Sequence, residues 1–468
     1  MKSKTICSLL FLGLLLISNL SNALTQTEQA IVDGSAQVKL VKQYFIERGK
    51  ASVLEQIVYK VVKPESLVLT VDGYLSIKTS SKSIYKLVRG ADRIYLDLKG
   101  NIISFSLEHA GLEGLSLLKE LPKLRVLHLY DNQFESSVVE LSDLRSLEEF
   151  HLSNPYPITN TIKEVKLGKG LPRLRRLMLR LMPLIKITHL SKLKKLNYLN
   201  VSDTHLKKID ELEKLKQLRW LEINASHIEQ LPSMKYFPKL EVINAMDSRI
   251  TDLKDIASSQ TIKKISLHRT VAGQNIQKYP QSLEELEIGG GILTKIPNLR
   301  NLKNLKKLSI IANKVTKIEN LEGLNNLKEL DFRYSSIEKI EGLDDLVNLE
   351  VLNFEKTKIT KIEGLKALVN LEILNLSETG VSKIEGLSSQ TKLVRLFLKD
   401  TKIKKIENIR HMLGLKEFSV VGSPVEEYDL DETKDMDVLV GAYGTPYSMN
   451  LEKENLRLYN KLRRENKL

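Results

Sequence analysis

The amino-acid sequence predicts an α/β repeat fold, a curved solenoid whose short strands form a parallel sheet on its concave face. Two observations carry this expectation. An apolar frame, L-x-x-L-x-L-x-x-(N/T/S)-x-I, recurs every 22 residues through most of the chain, and leucines alternate with polar residues inside each copy. One unit cannot enclose its own leucines, but stacked units bury them in a continuous core, each touching only its neighbours.

The clearest copies are consecutive. Leu371, Leu374, Leu376, Thr379, Val381 and Ile384 repeat Leu349, Leu352, Phe354, Thr357, Ile359 and Ile362 one period later. The fourth frame position runs back from Phe418 through Leu396, Leu374, Leu352, Leu330, Leu308, Leu286, Ile265, Ile243, Leu221 and Leu199 to Leu177, with one 21-residue step among steps of 22. Phe150, Leu127 and Phe105 extend the series to about fifteen units. The 27 residues from Phe150 to Leu177 include Asn154-Pro155-Tyr156-Pro157, an insertion expected to bulge.

Alternation on a strand puts Leu374 and Leu376 inward and Glu372, Ile373, Asn375 and Ser377 on the exposed face. After each strand comes a column expected to be buried and to hydrogen-bond the backbone of adjacent units. Asn132 and Asn313 keep an amide there, whereas Thr204, Ser226, Ser248, Thr270, Ser335, Thr357, Thr379, Thr401 and Ser423 replace it with a hydroxyl. A hydroxyl offers one donor where an amide offers two.

Residues 95 to 425 resemble the 22-residue leucine-rich repeats of bacterial internalin-like proteins and of the phosphatase-regulating nuclear subunit family. The phrases Lys339-Ile340-Glu341-Gly342-Leu343 and Lys361-Ile362-Glu363-Gly364-Leu365 are similar to the second class. The resemblance implies a leucine-rich-repeat solenoid that holds a protein partner on its concave face. Repeat similarity fixes fold far more tightly than function.

The ends depart from the repeat. Lys2 and Lys4, the apolar stretch Ile6 to Ile17 and Ser21-Asn22-Ala23 read as a signal peptide over 1–23, cleaved after Ala23. That stretch is too short to span a bilayer, so no transmembrane segment is expected in the mature chain. The single cysteine, Cys7, leaves with the signal. An exported protein without cysteine reads as bacterial, secreted or cell-envelope associated.

Residues 24–95 are expected to form an N-terminal α/β cap. It would comprise a helix over Gln37 to Val62, stopped by Pro64, and a hairpin of Leu67 to Val71 and Tyr74 to Ile77 around Asp72-Gly73. The repeats then occupy 96–425 and stop after Ser423-Pro424-Val425. Residues 426–468 are expected to form a C-terminal helical cap, acidic from Asp429 to Asp437 and ending in a basic helix over Asn450 to Leu468.

Known catalytic patterns are missing from the sequence: it has no Gly-rich phosphate loop, no His-Glu-x-x-His and no Gly-x-Ser-x-Gly. Without a cysteine after the signal, a ubiquitin ligase with a cysteine nucleophile is excluded. The chain is therefore not expected to be an enzyme or to need a cofactor. His128 and His151 fall in one column near His109 and Tyr130. However, strands stacked about 4.8 Å apart make any two polar residues of a column look like a site, so no metal is expected.

The net charge of +14 suits acidic partners, membranes or polyanions without choosing among them. Lys295, Lys317, Lys339, Lys361, Lys383 and Lys405 form one column, and Glu319, Glu341, Glu363, Glu385 and Glu407 follow two residues on. Solvation with mutual charge compensation is the expected role. A nucleic-acid partner is not expected.

The strand positions expected to face outward carry several large groups. Trp220, the single tryptophan, is joined by Tyr130, His151, Met178, Arg180, Tyr198, Arg219, Met246, His268 and Arg269. Such residue types concentrate in interface hot spots. Phe397 with Arg395 and Lys399, and Tyr334 with Arg333, form a weaker second patch. A monomer that binds a partner protein, such as one at a host cell surface, is the leading expectation. The alternatives are carbohydrate or envelope-polymer binding and a docking regulator of an enzyme.

Overall fold

If each frame residue is buried by the next copy of itself, the two should pair across a parallel sheet. In the computed structural model they do. The structure describes residues 26–47, 93–108, 114–132, 134–155, 161–291 and 293–428, with the strand backbones at 58–61, 67–69, 75–78, 84–86 and 439–441. The expected signal segment, the tip of the 154–157 insertion, the acidic stretch at 429–437 and the helix expected over Asn450 to Leu468 lie outside these residues. About 14 turns of parallel-strand solenoid are divided between two compact units, Met1–Leu215 and Lys216–Leu468.

The first unit opens with helices α1 (Gln26–Gly34) and α2 (Ala36–Glu47); α2 buries Val38, Val41, Tyr44 and Phe45 along one face. Ser35, between the helices, donates its hydroxyl to the carbonyl of Gly100 at 2.7 Å, and Gln37 accepts the Ile102 amide at 2.6 Å. These bonds join the helices to the turn linking Arg93–Leu96 with the antiparallel strand Ile102–Glu108. The helix expected over Gln37 to Val62 holds as far as Glu47. Val58–Val61 is instead a strand parallel to Arg93–Leu96, as its β-branched and aromatic residues favour.

The expected hairpin is present: Leu67–Leu69 pairs antiparallel with Leu75–Lys78, which also pairs with Ile84–Lys86. The repeats of this unit then stack in parallel, Phe105 opposite Leu127, Leu127 opposite Phe150, Phe150 opposite Leu177 and Leu177 opposite Leu199. The 27-residue interval therefore leaves the ladder in register. A second parallel sheet, Val138–Leu141, Glu164–Leu167 and Lys186–Thr188, forms from the return segments.

The second unit continues the pattern from Trp220–Glu222 to Glu417–Ser419, with frame residues from Leu221 to Phe418 at most 2% exposed. One further strand, Leu439–Gly441, sets Val440 opposite Phe418. The repeat thus does not stop after Val425. Asp437 stands where the frame calls for leucine, which is why the sequence pattern ends early.

The hydroxyl column is buried as expected; Ser423 bonds the preceding repeat, donating to the Leu398 carbonyl at 2.9 Å, but other members bond within their own unit. Thr204, Ser226, Thr357 and Thr379 each donate to the carbonyl three residues back in their own unit, at 2.6–2.7 Å. Asn132 keeps the bridging role, donating to Leu107 of the preceding repeat at 3.2 Å. In the second unit, cross-repeat bonding also comes from an amide ladder that precedes the strands. Asn304, Asn326, Asn348 and Asn370 each donate to a carbonyl of the repeat before, at 2.7–3.0 Å.

Most repeats also turn through left-handed backbone four residues after their frame position, Asn154 in the Phe150 repeat being an exception. In the first unit this residue is Asp131, Leu181 or Asp203. In the second it runs Ala225, Asp247, Arg269, Gly290, Ala312, Tyr334, Lys356, Glu378, Asp400 and Gly422, with φ from 48° to 74°. The stacking geometry imposes this conformation on residues that disfavour it by about 1–2 kcal/mol each. Ala225→Gly and Ala312→Gly, which each remove only a methyl, are expected to stabilise the second unit by up to about 1 kcal/mol. Urea denaturation of each variant checks this, and an unchanged or lower midpoint counts against it.

The Gly in the Lys-Ile-Glu-Gly-Leu phrase has a related origin. Gly364 has a φ of 67°, and a Cβ there would lie 2.1 Å from the carbonyl oxygen of Ile340 in the preceding repeat. Asn320 and Asn408 occupy the same repeat position, and their amides instead donate to the equivalent carbonyls, of Ile296 and Ile384, at 2.9 and 2.8 Å.

Candidate partner-binding face

The strand face of the first unit carries a buried charged network. Glu149 and Arg176 stand opposite one another on neighbouring strands and form an ion pair of 3.1 Å, with side chains 2% and 3% exposed. His128 Nε2 lies 2.7 Å from the other carboxylate oxygen of Glu149, and the Arg176 guanidinium sits 3.8 Å above the ring of Tyr198. The rings of His128 and His151 meet edge to face at 5.6 Å. His128 is thus engaged with a carboxylate, and no group of three or more His, Cys, Asp or Glu is placed to hold a metal among the described residues.

Three expectations are corrected here, at Met178, Tyr198 and His268, all of which are buried. Met178 and Tyr198, expected to point to solvent, are each 5% exposed. Tyr198 lies under Arg176, and the Asn200 amide donates to its hydroxyl at 3.4 Å. Met178 is flanked by His151 and Asn200 on the adjacent strands. Tyr130, His151 and Arg180 of the same face are half-buried. Glu149 and Arg176, not among the residues expected to form the site, share the strand position of Tyr198 and Trp220, one before the frame residue. Their opposite charges in one column were the available signal.

The second unit places Arg219, Trp220, Met246, His268 and Arg269 on its first three strands and the turns after them. Trp220 is half-buried, one residue before the frame leucine Leu221, and its strand pairs with Val242–Asn244. Met246, also half-buried, donates its backbone N–H to the side-chain oxygen of Asn224 in the preceding repeat at 2.9 Å. Both arginines are exposed but fixed: Arg219 donates to Glu241 at 2.6 Å, and Arg269 grips Asp247 through two nitrogens. That grip holds the Asp247 carboxyl below its ordinary range.

His268 is only 9% exposed, and its Nε2 finds no hydrogen-bond partner. Burial, followed by the nearby Arg269 cation, pushes its pKa down, so the ring is neutral at pH 7. Its ring fits beside Gly290, where a Cβ would approach it to 2.6 Å. The weaker patch is divided. Tyr334 is 48% exposed with the Lys356 ammonium 5.2 Å from its ring, whereas Phe397 is half-buried. Arg333 pairs with Asp331 at 2.8 Å.

Comparison with known proteins agrees with this architecture. A family profile described as "Leucine Rich repeats (2 copies)" matches residues 325–367. A leucine-rich-repeat protein of Leptospira interrogans is similar in structure, with a TM-score of 0.56 and 18% identity over 72% of this chain and 95% of that one. An internalin of Listeria monocytogenes gives 0.50 and 16% over 73% and 86%. YopM, a leucine-rich effector of Yersinia pestis, gives 0.50 and 21% over 74% and 84%. No match was found among curated proteins. The chain is thus built as a leucine-rich-repeat solenoid. No helix among the described residues is long and apolar enough to cross a membrane.

Proposed function

We propose that this is an exported bacterial protein that binds a partner protein, on a host cell or in the extracellular matrix, through the strand face of its second unit. The observation that carries the reading is the grouping of Trp220 and Met246 with arginines already held in place by Glu241 and Asp247. Pre-oriented arginines lose less side-chain freedom on binding, and a large aromatic supplies the apolar contact. The internalin likeness and the sequence signals of export support the setting.

The test is capture by the mature chain, beginning at Leu24, from host-surface and matrix extracts, followed by affinity measurement with the captured protein. Trp220→Ala is expected to weaken binding by about 2 kcal/mol, roughly 30-fold, while Tyr334→Ala leaves it nearly unchanged. Equal binding by the Trp220 variant would move the site elsewhere.

A further inference from the structure

We propose that the return segments of the second unit form a separate docking stripe for an extended anionic polysaccharide carrying carboxylates or sulfates. The stripe consists of residues 314–317, 336–339, 358–361, 380–383 and 402–405, one segment from each of five consecutive repeats. Together these contain nine lysines and a single acidic residue, Glu338. All nine lysines are exposed.

The segments are held in rows by their backbones. Lys358 donates to the Ile337 carbonyl at 2.9 Å, Gly380 to Ile359 at 2.8 Å and Lys402 to Val381 at 2.8 Å. Hydrogen-bonded parallel rows lie about 4.8 Å apart. The lysines therefore stand on backbones stacked repeat on repeat, in a row of positive charge rather than a scattered population.

The compensation expected from the adjacent glutamate column is largely missing. Among the described residues, Lys405 alone of the nine has carboxylates within ion-pair distance, Glu407 at 3.6 Å and Glu427 at 3.7 Å. Lysines near the strands of the same unit behave differently: Lys306, Lys307, Lys328 and Lys356 each contact a glutamate of a neighbouring repeat at 2.6–3.0 Å. Neutralisation is thus concentrated at the strands, and the return segments keep their charge. At mid-stripe, Lys339, Lys358, Thr360 and Lys361 line a shallow depression of about 470 Å³, bounded by Glu338 and Glu363.

The chemistry of the stripe selects its occupant. Its segments contain no aromatic residue on which a nucleic-acid base could stack. Thr316, Ser336, Thr360 and Ser382 instead offer hydroxyls between the lysines. Lysine is a compact point charge without arginine's planar fork, which suits a row of singly charged sugars better than bidentate recognition of one group. This stripe is independent of the partner-protein reading, since it shares no residue with the Trp220 face.

The experiment titrates the full mature chain with polygalacturonate, dextran sulfate and neutral dextran of matched length, and with a single-stranded oligonucleotide. Saturable binding is expected to polygalacturonate or to dextran sulfate but not to neutral dextran, and the better of the two identifies the anionic group. Combining Lys339→Glu, Lys358→Glu and Lys361→Glu is expected to weaken that binding about tenfold or more and to flatten its salt dependence. An equal reversal of charge elsewhere in the unit, at Lys235, Lys366 and Lys392, should change it less than about twofold. Equal losses in both triple variants, tighter binding of the oligonucleotide, or no polysaccharide binding would overturn the proposal. Matching thermal melts establish that both variants remain folded.

Discussion

Arg176→Met is expected to destabilise the first unit by about 3–5 kcal/mol, because it leaves the buried Glu149 carboxylate without its cation. With Glu149 only 2% exposed, water cannot take the place of the guanidinium. His128 lies 2.7 Å away but balances the charge only when protonated. Combining Arg176→Met with Glu149→Leu removes both charges together and is expected to recover most of the loss, since apolar replacement of a buried pair is often neutral. Urea denaturation of the two single variants and the double variant provides the cycle. A small effect of Arg176→Met alone, or a double variant no better than the singles, would mean that the pair is well solvated.

This network also shows where sequence reasoning stops. The frame series from Leu177 to Phe418 was legible because burial of a leucine depends on a period that the sequence displays directly. Whether a polar side chain on the strand face is buried depends on which residue its column neighbour carries, across intervals of 22 or 27 residues. Tyr198 looked like an exposed aromatic until Arg176 was placed over it. The same limit hid the left-handed positions: Arg269, Tyr334 and Lys356 carry no glycine to announce a positive φ, and only the repeating turn imposes it.

The candidate site was legible in part for the same reason. Trp220 lies in a strand, where alternation fixes direction, whereas Met246 and Arg269 lie in the turns that follow theirs. The pairing of Arg269 with Asp247 joins successive members of one column and could have been read from the 22-residue offset. The lysine stripe was visible, but its charge balance was not. A carboxylate two residues on looks like a partner in every repeat, but among the described residues only Lys405 reaches its own, Glu407 at 3.6 Å.

Phe354→Ala tests how locally the solenoid stores its stability. Phe354 is fully buried in the second unit, and its ring stacks on Phe332 of the preceding repeat at 5.8 Å with planes 7° apart. Truncation removes apolar contact and leaves a cavity, with an expected cost of about 3–5 kcal/mol. In a globular core such a loss would be shared by the whole domain. Here each repeat touches only its neighbours, so the damage should spread by one or two repeats and then decay. Hydrogen exchange is therefore expected to show lost amide protection at residues 325–367, while amides near Leu221 and Ile243 keep theirs. Uniform loss across the unit would instead show that its repeats unfold as one cooperative body.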